Sequence, residues 1–356
     1  MNKTLIATLN WNDYERTERC INSLSKVSEK NISIIIIDNN SKNLEYEKLC
    51  SLIKKKTSSY KEINYSYFFK KQSKIKYKKF YLLKIPFNSG CTGGFNFAYK
   101  FALMNNFSFI SRIDNDCTVK KNYLSKKINF LKKNKNIVGI NSKVCYLQKK
   151  NKIQWVGAYK KNNLMFFKSL RPFTKTRKLN EVPNELNTKN WKGYKETDYL
   201  NGPGSLIRVS VLKKTGFSNI EFFFGPEDIE LSNRLKNHGK LIVCLESTIF
   251  HEVAQSQDIT GRKRRRYYEM KSSLLLLKLV GSSKEKLFGY NYFIIRSLYY
   301  LASSIILKNN FSQFFISLLA FKDFLIGRLG LSDLRKINQH VKEKELLKYI
   351  KSFKYN

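Results

Sequence analysis

The chain has 356 residues, with 67 Lys+Arg against 27 Asp+Glu and a formal net charge of +40. Its 42% hydrophobic and 14% aromatic content excludes a disordered basic tail and suffices for one sizeable core plus an appendage, one to three domains by length. Six cysteines, at 20, 50, 91, 117, 145 and 244, form no C-x-x-C pair and read as buried thiols of a reducing compartment, not a disulfide framework.

The chain enters a strand almost at once, with no charged-then-apolar leader, so no secretory signal is expected. Thr4 to Leu9 predicts an apolar strand ending in polar Asn10-Trp11-Asn12. Residues 13–30 follow, with Cys20, Ile21, Leu24 and Val27 at helical spacing. Ile32 to Ile37 is a largely β-branched run, too short for a membrane span and typical of a buried parallel strand; it delivers Asp38-Asn39-Asn40-Ser41. Between Lys54 and Lys84, eleven lysines and one acid are interleaved with aromatics. Such a stretch suits an anionic membrane surface, a nucleic acid or a plain solvated face. A third strand, Phe80 to Phe87, ends in the glycine-rich run Asn88 to Asn96, and a fourth, Phe109 to Ile113, ends in Asp114-Asn115-Asp116.

Strands that all deliver polar or glycine-rich residues at their carboxyl ends have the layout of a nucleotide-binding half-sheet. Two carboxylates one residue apart at such an end can hold a hard divalent cation against a diphosphate. They can equally form a polar turn. Further on, Asn201-Gly202-Pro203-Gly204-Ser205 reads as a tight loop, and Trp155 and Trp191 as core or sugar-stacking residues. Glu227-Asp228 opens a predicted helix, Ile229 to His238, stopped by Gly239, with Arg234 able to pair with either carboxylate. His251 follows the apolar Ile249-Phe250. Arg262 to Arg266 is a basic run suited to lipid phosphates or a diphosphate. From Tyr267 to Gly330 the apolar segments are broken by charges. None reaches the ~20 uninterrupted apolar residues of a span, so amphipathic helices are expected.

The sequence resembles a family 2 glycosyltransferase of the GT-A fold, in the branch that holds bacterial rhamnosyl- and galactofuranosyltransferases. Seven pieces carry the resemblance in order over roughly residues 1–280: Asn10-Trp11-Asn12, Ile37 to Ser41, Asn88 to Asn96, Asp114-Asn115-Asp116, Asn201 to Ser205, Pro226-Glu227-Asp228, and His251 with Ser256. It implies an α/β GT-A fold, a Rossmann-like mixed and mostly parallel sheet flanked by helices, with a C-terminal helical region. The catalytic domain would span residues 1–260, its nucleotide-binding half about 1–120 and its acceptor-binding half about 121–260. Residues 261–356 would be helical and able to associate with a membrane.

The resemblance further implies an inverting, metal-dependent transfer from a UDP- or dTDP-sugar to a glycan or lipid-linked acceptor in bacterial surface-polysaccharide assembly. Asp228 is implied as general base, with Glu227 orienting the acceptor. Thr8, Asn10, Asp38, Asn88, Gly90, Gly94, Asp114 and Gly202 are implied for the nucleotide-sugar. Asp114, Asp116 and His251 are implied for Mn²⁺ or Mg²⁺. The processive-synthase motif Gln-x-x-Arg-Trp is absent from the sequence. A basic nucleic-acid-binding protein is the rival reading, but no helix-turn-helix, zinc-finger or RNP signature supports it. A catalytically inactive GT-A scaffold is a third. The expected location is cytoplasmic, peripheral at the inner face of the membrane, held there by basic patches and amphipathic segments.

Overall fold

The computed structural model describes residues 3–69, 75–158, 192–252, 259–307 and 311–353. Trp191 and Ser256 lie outside them. Among the described residues eleven strands form one sheet: β1 Thr4–Asn10, β2 Ile32–Asp38, β3 Tyr60–Ile63, β4 Phe80–Lys84, β5 Phe109–Arg112, β6 Cys117–Val119, β7 Ile137–Tyr146, β8 Ile153–Trp155, β9 Tyr194–Glu196, β10 Leu206–Arg208 and β11 Lys240–His251. Their order is β3-β4-β2-β1-β5-β10-β7-β11-β6, with β8 on β7 and β9 on β11. The first five strands in that order run parallel. β10 then enters antiparallel between β5 and β7, and β11 lies parallel to β7. This is the mixed, mostly parallel sheet that the resemblance implies.

The isoleucines of β2 explain the layering. Ile34 and Ile36 point into one core with Ile6 and helix residues Cys20, Ile21, Leu49 and Ile53. Ile35 and Ile37 point into the opposite core with Leu5, Ala7, Phe97 and Phe101. A strand covered on both faces needs apolar residues throughout. The covering helices are α1 Tyr14–Leu24, α2 Asn43–Lys56, α3 Gly90–Met104, α4 Ser125–Lys133, α5 Val209–Thr215 and α6 Glu227–Leu235. Thus the predicted helix over 13–30 ends by Leu24, and the one predicted from Ile229 begins two residues earlier.

Five further helices follow among the described residues: α7 Ile259–Val280, α8 Ser283–Ile306, α9 Ser312–Leu325, α10 Gly330–Ile337 and α11 Glu343–Phe353. Leu334, Leu346, Tyr349, Ile350 and Phe353 belong to the same core as Leu5 and Ala7. The last helices therefore return to the sheet. Among the described residues no helix is long and apolar enough to cross a membrane.

Lys127 of α4 is fully buried and donates to Ser142 Oγ (2.7 Å) and to the Gly204 carbonyl (2.8 Å), tying the 201–205 loop to the sheet. Burial pushes its ammonium down to about 7 from the ordinary 10.5. Across that window the unfolded chain holds a proton that the fold has released, so stability rises with pH, by at most about 1.4 kcal/mol per pH unit. Lys127→Met should remove that slope. Urea unfolding of both proteins between pH 7 and 9 tests it, since the stability difference (wild type minus variant) should grow with pH.

Candidate active site

β1 lies between β2 and β5, so the polar strand ends converge where the sheet divides, the place open α/β sheets use for ligands. The register sets Asn10 level with Asp38. Asn10 Nδ2 donates to Asp38 Oδ1 (2.9 Å) and Ser41 Oγ (3.1 Å), and its Oδ1 accepts from Thr17 Oγ1 (2.7 Å). Asp38 Oδ2 accepts from the Ser41 amide at 3.0 Å. Thr8, Asn10 and Asp38 are each fully buried, and Thr8 faces Cys20 on α1. In this structure all three side chains are closed off from solvent: Asn10 and Asp38 bind one another, and the Thr8 hydroxyl meets the Cys20 thiol.

Asn39 fixes the entry to α3. Its Nδ2 reaches Asn88 Oδ1 and the Gly90 carbonyl (both 3.1 Å), and its Oδ1 accepts from the amide and hydroxyl of Ser89. Gly90 has φ +72°, and a Cβ there would lie 2.3 Å from the Phe223 carbonyl oxygen. The glycine-rich run is not the open cradle the sequence suggests, because from Gly90 it is helix. A Cβ on Gly94 would meet Leu9 at 2.3 Å, and one on Gly93 would meet the Tyr349 hydroxyl at 2.3 Å. These two glycines admit β1 and the last helix, so Gly94 serves packing beneath the site.

The centre of the site is Arg112, the last residue of β5. Its Nε donates to Asp114 Oδ1 (3.1 Å), one Nη to Glu227 Oε1 (2.7 Å) and the other to Cys91 Sγ (3.3 Å). Its guanidinium sits 4.0 Å from the Phe95 ring centroid. Burial pushes the Glu227 carboxyl up, and the Arg112 charge opposes it. On Arg112, burial acts downward, but Asp114, Cys91 and Glu227 hold the guanidinium well above its ordinary value. Gly202 lies against the same guanidinium, where a Cβ would come within 2.7 Å of Cζ. The Gly202 amide donates to Asp228 Oδ2 (3.0 Å), and Asp228 Oδ1 accepts from the Ile229 amide (2.9 Å). Asp228 is thereby fixed in the first turn of α6, where the helix macrodipole favours a carboxylate. Arg234 forks instead onto Glu230, at 2.6 and 2.8 Å.

A candidate metal corner lies beside this cluster. β6 and β11 pair antiparallel with His251 opposite Cys117, bringing His251 Nε2 to 3.1 Å from Asp116 Oδ2. His251 Nδ1 lies 2.8 Å from Gln154 Oε1, an acceptor, so Nδ1–H donates there; Nε2 donates to Asp116 while the ring is protonated and offers its lone pair to a cation once it is not. Burial draws the imidazole pKa down, but the Asp116 hydrogen bond and the Asp116 and Asp114 charges outweigh it, so the net direction is upward. Cys117 Sγ falls within the same ligand-sized cluster. It is fully buried and donates toward Asp116 Oδ1 (3.7 Å), with its thiol pKa pushed well up by burial. A carboxylate with an imidazole and a protonated thiol suits Mn²⁺ or Mg²⁺ better than the thiolate sites zinc prefers. Asp114 directs one oxygen to Arg112 and stands outside this cluster.

Residues 5–215 match the family model of glycosyl transferase family 2. The chain belongs to that family. No curated protein sequence matches it. Among solved structures, it is similar to GalNAc-T7 crystallised with UDP, GalNAc and Mn²⁺ (13% identity, TM-score 0.53, 82% of this chain, 54% of that one). It is similar also to S. aureus TarS 1-349 in complex with UDP-GlcNAc (13%, TM-score 0.51, 99% and 89%). A third is the mannosyltransferase PcManGT of Pyrobaculum calidifontis with GDP-Man and Mn²⁺ (9%, TM-score 0.51, 91% and 87%). At these identities the likeness is one of GT-A fold, and the chain spans about half the length of the first.

Several residues that build this candidate site are not legible as such in the sequence: Arg112, Gln154, Thr17 and Asn338. Arg112 alone leaves a trace, as a cation in an otherwise uncharged strand. Arg112→Met should leave Glu227 as an uncompensated buried carboxylate and destabilise the fold by about 3–5 kcal/mol. Adding Glu227→Gln should return at least about 1 kcal/mol of that loss, since the two are coupled directly. Urea unfolding of the two single variants and the double variant checks both values.

Proposed function

We propose that this chain is an inverting, metal-dependent glycosyltransferase. Its donor would be a UDP- or dTDP-sugar, and its acceptor a glycan or lipid-linked saccharide of bacterial surface-polysaccharide assembly at the cytoplasmic membrane face. The observation that carries the reading is the Arg112 cluster, which joins the metal-side strand end at Asp114 to Glu227, next to Asp228. The UDP, GDP-mannose and Mn²⁺ named for the similar structures support the donor class and the cation.

Asp116 and His251 would hold the cation, which supplies charge neutralisation for the departing diphosphate. Arg264 stands 5.8 Å from the Trp11 ring, and the Arg265 charge is felt at His251, so the basic run beside this corner would meet the same phosphates. Asp228, steadied by the Gly202 amide, would take the proton of the acceptor hydroxyl. That oxygen attacks the anomeric carbon as its bond to the diphosphate breaks, and the configuration inverts. Glu227, ion-paired to Arg112, would position rather than abstract. The pairing of Asp116 with His251 and of Asp228 with Gly202 tells against an inactive scaffold. A panel of UDP- and dTDP-sugars, scored for binding with and without Mn²⁺, identifies the donor.

Asp116→Ala should abolish turnover and metal-dependent nucleotide binding while the protein stays folded, since this side chain is partly exposed at a strand end. Isothermal titration with and without Mn²⁺ tests this; full activity of the variant, or of the wild type in EDTA, would sink the metal assignment. Asp228→Asn should keep donor binding and lower kcat by ~10²–10⁴. A parallel loss of nucleotide affinity, or a product of retained configuration, would place the base elsewhere.

A further inference from the structure

Helices α8 and α9 are packed inside out. They run antiparallel, with Phe293 stacked on Phe321 and Tyr290 against Phe324. Besides Phe293 and the hydrogen-bonded carboxylates Glu285 and Asp323, the residues they bury are small: Gly289, Ser297 and Ser304 of α8, Ser317 and Ala320 of α9. The large apolar side chains face out: Leu298 is 57% exposed, Tyr299 66%, Ile306 76% and Phe315 61%. On α8 the outward stripe continues through Leu287, Ile294 and Ile295, and on α9 through Leu318, Leu319 and Leu325. Water-facing helices show the reverse arrangement, whereas small residues inside and large apolar ones outside is how helices pack in lipid. The buried serines fit the same environment, because Ser297, Ser304 and Ser317 each donate to a carbonyl of their own helix and need no water.

We propose that α8 and α9 seat in the interfacial layer of an anionic bilayer, their outward side chains entering the acyl boundary. Neither helix is long and apolar enough to cross, so they lie in the interface. Charge selects the occupant. Two copies of a chain with net charge +40 repel, whereas an anionic leaflet attracts both the chain and the cations set beside the stripes, Lys284, Lys322 and Arg328. Because the apolar faces make the contact, attachment differs from the salt-reversible surface binding that the basic composition suggests. The seating does not depend on the proposed reaction, and its test reads binding rather than turnover.

The test is co-sedimentation of the full chain with phosphatidylcholine vesicles with and without phosphatidylglycerol, at low and high salt. The wild type should bind the anionic vesicles and stay bound after a high-salt wash. Leu298→Asp and Leu319→Asp should each lower the bound fraction about tenfold or more, as expected for a carboxylate placed in the acyl boundary. Leu298→Trp keeps the face apolar, so it reports even where the aspartate variants fail to fold. Its fluorescence should be quenched by lipids brominated on the acyl chains. Complete release by salt, no binding at all, aspartate variants that bind like the wild type, or an unquenched tryptophan would overturn the proposal. So would a wild-type dimer in sedimentation velocity that the aspartate variants convert to monomer.

Discussion

Arg112 carries a positive charge into a space from which water is excluded, and three carboxyl-bearing or thiol side chains converge on it. A buried guanidinium is tolerated only where its donors are taken up and its charge is met. Here β5 supplies the arginine, the turn after it Asp114, α6 Glu227 and α3 Cys91, with the Phe95 ring beneath. A lysine could not replace it, since one ammonium cannot present fixed, divergent donors to partners on three elements. The same packing explains Gly202, for no side chain fits between the guanidinium and the loop, and this lets the Gly202 amide reach Asp228. The positions of the proposed base and of the metal-side strand end thus follow from one neutralisation requirement.

The parallel strands were readable in the sequence because burial on both faces imposes an uninterrupted apolar run, and Ile32 to Ile37 meets that demand plainly. The polar strand ends were readable for the same reason, as breaks in those runs. Roles within them were harder to see. Asp38 and Asn10 read as ligand-facing groups, yet each is bound by the other, a pairing set by strand register and not by any local motif. The glycine run after β4 signals close approach. What approaches Gly93 and Gly94 is Tyr349 and Leu9, and the first lies at the opposite end of the chain. Asn338 holds the Asn88 amide and carbonyl across a similar sequence distance. Arg234 and Glu230, by contrast, stand at helical i,i+4 spacing, so that ion pair was open to a local reading.

The C-terminal helices show a different limit. Helical periodicity separates two faces of a helix but does not say which face is inside. On α8 a stripe of small and hydroxyl residues alternates with a stripe of large apolar ones, and either could be the packed side on sequence alone. The structure resolves this through Phe293 on Phe321 and Tyr290 on Phe324, which meet across a seam that also holds Gly289, Ser297, Ser317 and Ala320. The large stripe is left outside, on a chain whose positive excess lowers the free energy of its approach to an anionic surface.

This pair of helices is not a tail. The chain leaves the catalytic sheet through α7 and returns to it through α10 and α11, so α8 and α9 are held from both ends. α7 is fastened to the turn that precedes the proposed base: Ser272 Oγ donates to the Phe224 carbonyl at 2.8 Å, and Gly225 leaves no room for a Cβ beside Ser272. One residue earlier, Lys271 pairs with Asp333 of α10, while the Gly330 amide donates to the Glu221 carbonyl (2.9 Å). Further along α7, Leu274 packs with Phe293 and Ala320 of the outward-facing pair. The residues that set the angle of α8 and α9 are thus neighbours, along one helix, of those that set the entry to α6. One helix, α7, thus borders both the Phe224-Gly225-Pro226 turn before Asp228 and the seam of the outward-facing pair.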